Sequence, residues 1–320
     1  MTPVRWGVVS TARINRKVLP GARAADGVEV IAVGSRDRAR GQAFAAEYGI
    51  ERVHDSYDAL LADPDVEAVY IPLPNSLHVP WSVRALEAGK HVLCEKPLSR
   101  RAADVEKAFA AADRAGRVLM EAFMWRYHPQ TEALVRLAQE IAPLRVVRAA
   151  FGFPLPVDDA ANVRWLAELE GGALMDVGCY CVSALRLLSG GEPERVTAEA
   201  VSAPSGVDVR FAGVLRFAGG VLGMFDCGLD VPPRDGIEVV GEGGTIVARD
   251  PWHGVSPGLT LTRPDGRREE VPVAAADAYR LELEDVSAAI RGDGDPRLGR
   301  DDALGQARAI ESLFAAAGQA

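Results

Sequence analysis

The sequence predicts an α/β protein of two domains: an N-terminal doubly wound parallel sheet, then an α+β domain with a large, open-faced, mainly antiparallel sheet. Three observations carry this. Through the first third, continuous apolar runs alternate with amphipathic helices, the pattern of parallel strands covered on both faces. From about residue 144 strand-like segments follow one another across short turns. At 320 residues the chain also exceeds what one core commonly organises.

Taken in order, "VRWGVVS" (4–10) is a buried strand, and a helix is expected from about Ala12 until Pro20-Gly21 interrupts it. "VEVIAVGS" (28–35) is a second strand, followed by the amphipathic "RDRARGQAFAAEYG" with its closing glycine. "VEAVYIPLP" (66–74) leads to a helix ending at Gly89; "KHVLCE" leads to "SRRAADVEKAFAAADRAG"; "RVLMEAF" is a fifth strand. Beyond these come "LRVVRAAFGF", "ERVTAEAVSA", "DVRFAGVLRF", "GVLGMFDCGLD", "GIEVVGE", "GTIVARD" and "LTLTRP", with "FAGGV", "GEGGT" and "PDGR" as hairpin turns. A helical insert near 172–188 and a closing helix over about 301–317 complete the second half. The change of pattern near 121–125 divides the chain into a nucleotide-binding domain, 1–122, and a substrate and assembly domain, 123–320.

Composition narrows the function classes. The chain is 48% hydrophobic and 25% charged with a net charge of −9, which opposes a nucleic-acid surface. No apolar run approaches the length of a membrane span, and the start lacks the basic and apolar regions of a signal peptide, so a cytoplasmic protein is expected. Cys94, Cys179, Cys181 and Cys227 form no C-x-x-C pair, and the histidines are dispersed. Core thiols and no metal site are expected.

The first strand runs into a helix N-terminus, a ready anion site. The dinucleotide fingerprint has three glycines there; "VVSTARIN" presents Ser10, Ala12 and Asn15 instead. Small residues still permit close approach, and Thr11 and Arg13 add donors, with Ile14 completing the turn. An ordinary tight turn explains this stretch equally well. After the second strand, "GSRDRAR" offers Ser35 and Arg36 where an acidic ribose ligand is expected for NAD. A hydroxyl and a guanidinium suit a 2′-phosphate, Arg40 adds charge one turn on, and NADP is preferred.

At the other end of the site, "IPLPNSLH" holds Leu73, Pro74, Asn75 and His78 at the carboxyl edge of the sheet, beside the expected nicotinamide. An N-cap role for Asn75 and a surface place for His78 are the plain alternatives. "CEKP" ends the next strand with Glu95 and Lys96 at the same edge, where a lysine faces the cofactor crevice. In "EGGALMDVGCYCVSALRLL", Asp176 and Tyr180 lie at i and i+4 of a helix. Carbonyl–alcohol interconversion needs proton transfer at oxygen, and an ammonium next to Tyr180 favours its phenolate. A packed tyrosine with a solvated aspartate is the plain alternative.

Together "EKP" (95–97), "YIPLPNSLH" (70–78), "EAFMWRYHPQ" (121–130) and "GGALMDVGCY" (171–180) resemble the Gfo/Idh/MocA oxidoreductase family over essentially the whole chain. The resemblance implies a Rossmann domain and an open-faced C-terminal domain whose sheet forms a homodimer or homotetramer. It maps the family's catalytic lysine onto Lys96. Where many members carry histidine this chain has Tyr180, which looks like the glucose–fructose oxidoreductase and dimeric dihydrodiol dehydrogenase branch. It also marks Trp125 and Arg126 as cofactor-proximal. The expected activity is NADP-dependent hydride transfer at a secondary alcohol or hemiacetal carbon of a sugar, with Lys96, Asp176 and Tyr180 catalytic and Arg164 a further substrate contact. A trans-dihydrodiol substrate is the alternative, and a non-catalytic NADP-binding sensor is the alternative of another class.

Overall fold

The computed structural model describes residues 2–156 and 162–319. It comprises two compact units, one of Met1–Met124 with Asp277–Leu304 and one of Trp125–Ala276 with Gly305–Ala320.

The first unit holds strands β1 (Val4–Val9), β2 (Val28–Gly34), β3 (Arg52–His54), β4 (Ala68–Ile71), β5 (His91–Glu95) and β6 (Leu119–Ala122). All neighbours are parallel, in the order β3-β2-β1-β4-β5-β6. Strand order therefore reverses between β1 and β4, and the carboxyl ends on either side of that point are where doubly wound sheets bind ligands. The intervening helices are α1 (Asn15–Ala24), α2 (Arg38–Tyr48), α3 (Tyr57–Leu61), α4 (His78–Glu87) and α5 (Ala102–Ala115). β3 and α3 are too short for a periodic signal, and the sequence reading had no element there. α1 runs through Pro20 where an interruption was expected; Pro20 lies on the exposed side and the helix is held by its buried Val18, Leu19 and Ala22.

The second unit opens with α6 (Pro129–Glu140) and β7 (Leu144–Pro154), then α7 (Cys179–Ser189). Next come β8 (Arg195–Ser202), β9 (Asp208–Arg216), β10 (Leu222–Gly228), β11 (Asp230–Gly241), β12 (Gly244–Arg249), β13 (Gly258–Thr262) and β14 (Arg268–Val271). They form one sheet, β14-β13-β12-β11-β7-β10-β9-β8, antiparallel except for β7 with β10. Register separates its faces. Phe211, Leu215, Phe225, Val147, Val239 and Ile246 share the buried face. Val201, Val214, Leu222 and Val247 lie on the opposite face and are 40–46% exposed.

The chain closes with α8 (Ala278–Arg291) and α9 (Arg300–Ala316). Placing 123–320 in one domain is thereby corrected: residues 277–304 belong to the first unit. β1 and α1 present apolar surface that α8 covers, and the Trp6 indole N–H donates to Ser287 Oγ at 3.2 Å. Arg291 ion-pairs with Glu67 at 2.9 Å. The later part of α9 packs on the buried face of the second sheet, with Phe314 edge-on to Phe211 at 5.9 Å.

The expectation that no apolar run reaches a membrane-spanning length is also corrected. The helical stretch Ala167–Ser189 is 23 residues long with a mean hydropathy of 1.3, but 78% of its apolar window is buried within the protein. It is built of a 3-10 turn, a π-turn and α7 in succession and lies largely in the interior of the second unit.

Candidate active site

Beyond β1 the chain turns through Ser10 at φ 100°, the left-handed region where the fingerprint carries glycine. Asn15 makes this tenable: fully buried, it donates from Nδ2 to the Ser10 carbonyl at 3.0 Å, while Ser10 Oγ accepts from the Ala12 N–H at 3.3 Å. α1 then begins without a side-chain cap, so its first N–H groups and positive dipole end suit an anion. Thr11, Ala12 and Ile14 are half-buried around this turn and Arg13 is exposed.

At the end of β2, Ser35 is buried; its hydroxyl donates to the Asp37 carbonyl at 2.7 Å and accepts from the Asp37 N–H at 3.2 Å. It shapes the turn between β2 and α2. Asp37 caps α2 through the Arg40 N–H at 3.0 Å, which commits the acid to the helix. Arg36 and Arg40 are exposed, and Arg40 Nη2 reaches back to the Thr11 carbonyl at 3.2 Å, joining the two turns.

After β4, Leu73 is buried while Pro74 and Asn75 are half-buried; Asn75 opens a single 3-10 turn, and α4 starts with no side-chain cap. His78 is not a surface residue. It is 1% exposed, with Nδ1 2.8 Å from the Pro97 carbonyl and Nε2 2.7 Å from the Leu73 carbonyl. Burial pushes its pKa down to about 4, the nearby Lys96 adds to that, and the two carbonyls oppose it. As a neutral ring it donates to one carbonyl only.

Lys96 follows β5, half-buried, and the Lys96–Pro97 peptide is cis. Side chains from neighbouring strands fix both flanks. Glu121 in β6 accepts the Leu98 N–H at 2.7 Å. Glu95 accepts the Tyr70 hydroxyl at 2.5 Å, so its carboxylate is engaged by β4. Burial and then the Glu95 carboxylate hold the Tyr70 phenol well above its usual pKa.

The second unit assembles the other expected residues. Arg164 Nε donates to Asp176 Oδ2 at 2.6 Å, which raises the guanidinium pKa through Asp176 first and Tyr180 to a lesser degree. Arg164, Asp176 and Tyr180 thus come together, as sequence spacing suggested for the last two. Their helix is not regular, however. Leu174–Gly178 is wound as a π-turn and α7 follows it, a distortion common at functional sites. The Tyr180 ring packs edge-on against Phe151 at 5.4 Å and Trp252 at 5.8 Å.

Glycine is required where this helix begins. The Gly172 N–H donates to the Arg164 carbonyl at 3.0 Å, its φ is 111°, and a Cβ there would lie 2.2 Å from Asp208 Oδ1. Asp208 is 2% exposed and caps the helix by accepting the Leu174 N–H at 2.6 Å. Trp125 is buried edge-on to Trp252 at 5.5 Å, and Arg126 donates to Ser183 Oγ in α7 at 3.4 Å. Among the described residues no group of three metal-capable side chains comes together.

Sequence reasoning gave no role to Tyr70, Glu121 and Asp208. The first two stand inside motifs quoted above, but a strand pattern does not say which side chain turns back to hold a loop. Asp208 is 34 residues from the N–H it caps, and nothing local marks it.

A model of the oxidoreductase family with an NAD-binding Rossmann fold matches residues 4–123, and one of the GFO/IDH/MocA C-terminal domain matches residues 133–247. The chain belongs to the Gfo/Idh/MocA oxidoreductase family. Among its relatives is a D-xylose 1-dehydrogenase (NADP(+)) of Haloferax volcanii, 40% identical over 98% of this chain and 97% of the relative. A trans-1,2-dihydrobenzene-1,2-diol dehydrogenase of Sus scrofa is 36% identical over 78% of this chain and 75% of its own. A 3-ketoreductase from Actinomadura kijaniata, solved in complex with NADP and TDP-benzene, superposes with a TM-score of 0.92 at 32% identity over 98% of both chains. In this Gfo/Idh/MocA member Lys96 directly follows β5, and Tyr180 lies in the first turn of α7 on the second unit.

Proposed function

We propose that the protein is an NADP-dependent dehydrogenase acting on a secondary alcohol or hemiacetal carbon of a sugar. The observation that carries this reading is the anchoring of the Lys96 segment at the carboxyl ends of β4, β5 and β6. His78 Nδ1 lies 2.8 Å from the Pro97 carbonyl, and Glu121 accepts the Leu98 N–H, the first one after Lys96. A lysine fixed this firmly at the ligand edge of such a sheet serves chemistry rather than a solvated ion pair.

The residues present fit NADP. The uncapped start of α1 beside the small Ser10 and Ala12 suits the pyrophosphate, and Arg36 with Arg40 suits the 2′-phosphate. When bound, NADP would supply the hydride acceptor. Lys96 supplies donors and positive charge at the substrate oxygen, and Tyr180 takes the hydroxyl proton. Asp176, oriented by Arg164, accepts a hydrogen bond from a neighbouring substrate hydroxyl. The identity with a D-xylose dehydrogenase that uses NADP(+) supports the sugar and cofactor assignments. A dihydrodiol substrate is the second reading, favoured by the aromatic rings Phe151 and Trp252 that pack on Tyr180. The reading includes a homo-oligomer formed through the exposed sheet face bearing Val201, Val214, Leu222 and Val247.

The test follows nicotinamide reduction with NADP and, in parallel, NAD across aldoses, polyols and aromatic diols. NADP reduction with an aldose is expected, and Lys96→Met is expected to bind NADP without turning over. Near-normal turnover by Lys96→Met would overturn the mechanism.

A further inference from the structure

We infer that Gln306, polarised by Arg186, is a positioning residue for Tyr180, and this rests on the catalytic role proposed above for that tyrosine. The π-turn Leu174–Gly178 gives way to α7 at Cys179, the residue directly before Tyr180. At this junction the Cys179 N–H turns back to the Leu174 carbonyl, five residues before it. The Cys179 carbonyl receives a hydrogen bond from outside its own helix: Gln306 Nε2 donates to it at 2.8 Å.

Gln306 is 1% exposed and its amide is fixed at both ends, with Oε1 accepting from Arg186 Nη1 at 3.2 Å. Arg186, itself 5% exposed, is forked onto Glu192, Nε to Oε2 at 2.8 Å and Nη2 to Oε1 at 2.6 Å. A charged chain therefore runs from Glu192 through Arg186 and the Gln306 amide to the backbone beside Tyr180. A cation on the amide oxygen strengthens the amide N–H as a donor. The residue before Gln306 is glycine, and the Arg186–Glu192 pair fills the space beside it: a Cβ on Gly305 would lie 2.1 Å from Arg186 Nη2 and 2.1 Å from Glu192 Oε1, so a larger residue would displace the ends of both side chains. A glycine in the middle of a helix costs stability, so this socket is a feature that packing alone would not ask for.

The experiment is a double-mutant cycle on the full enzyme with Gln306→Leu, Tyr180→Phe and the pair. Nucleotide binding is read separately by fluorescence quenching with NADPH. Gln306→Leu is expected to lower kcat about tenfold with the sugar KM and NADPH affinity little changed, since small misplacements of reacting groups cost rate steeply. Combined with Tyr180→Phe it is expected to add nothing further. Glu192→Gln, a shape-preserving change at the far end of the chain, is expected to lower kcat by a smaller factor at an unchanged melting temperature. Independent, multiplicative losses, or unchanged kcat in both Gln306→Leu and Glu192→Gln, would overturn the inference. Full turnover by Tyr180→Phe would instead overturn the proposed function.

Discussion

Gly172→Ala is expected to separate the two units functionally. An L-residue at the φ of 111° found there costs about 1–2 kcal/mol. The added methyl would also lie 2.2 Å from Asp208 Oδ1, so the carboxylate must leave. Its bond to the Leu174 N–H is 2.6 Å long and buried, and losing such a charged hydrogen bond costs about 1.5–3 kcal/mol. The sum, about 2.5–5 kcal/mol, is a large share of the roughly 5–15 kcal/mol that holds a domain folded. Calorimetry is expected to show the transition of the second unit at a lower temperature, with turnover lost and NADP affinity kept, because Ser10, Arg36 and Arg40 lie in the first unit. Asp208→Gly in the same chain removes the clash, so the double variant is expected to lose less than the sum of its parts. An unchanged calorimetric trace with full turnover in Gly172→Ala would refute the assignment of Asp208 as the cap.

Arg36→Glu is expected to raise the KM for NADP about tenfold to hundredfold while sparing NAD, as loss of a charged contact predicts, and steady-state kinetics with both cofactors reads it. Arg164→Met removes the partner of Asp176 and is expected to lower kcat/KM for a sugar about tenfold, with NADP affinity unchanged by titration. His78 titrates at about 4 instead of 6.5. The unfolded chain therefore takes up this proton first, and stability falls as pH descends from about 6.5 to about 4, by about 3 kcal/mol in all, and not further below. Urea midpoints across that window are expected to fall with pH and to fall less steeply in His78→Asn, although His91, also near 4, keeps part of the slope.

The parallel sheet was legible because buried strands such as "VYI" and "HVLCE" declare themselves by composition, and the antiparallel sheet because its turns carry glycine. What escaped were interactions set by distant chain. α8 reads as one more amphipathic helix, and no local signal assigns it to strands nearly the whole sequence away. Lys96, Asp176 and Tyr180 could be picked out because rare chemistry stood at strand and helix ends. The backbone contacts of Ser35 and His78 were not legible for the opposite reason: a polar residue at the ligand edge looks the same in sequence whether or not it also holds a neighbouring carbonyl. The glycine-free turn at Ser10 was readable as a departure, but the Asn15 amide that supports it was visible only in three dimensions.

That residues 277–304 complete the first unit has a bearing on synthesis. All six parallel strands leave the ribosome long before α8 exists, so Trp6 and the face of β1 and α1 wait without their cover. The nascent first unit therefore exposes that apolar face until α8 is made. Fragments cut after the sixth strand inherit the same bare surface permanently, and their insolubility would reflect a missing helix rather than a defective sheet.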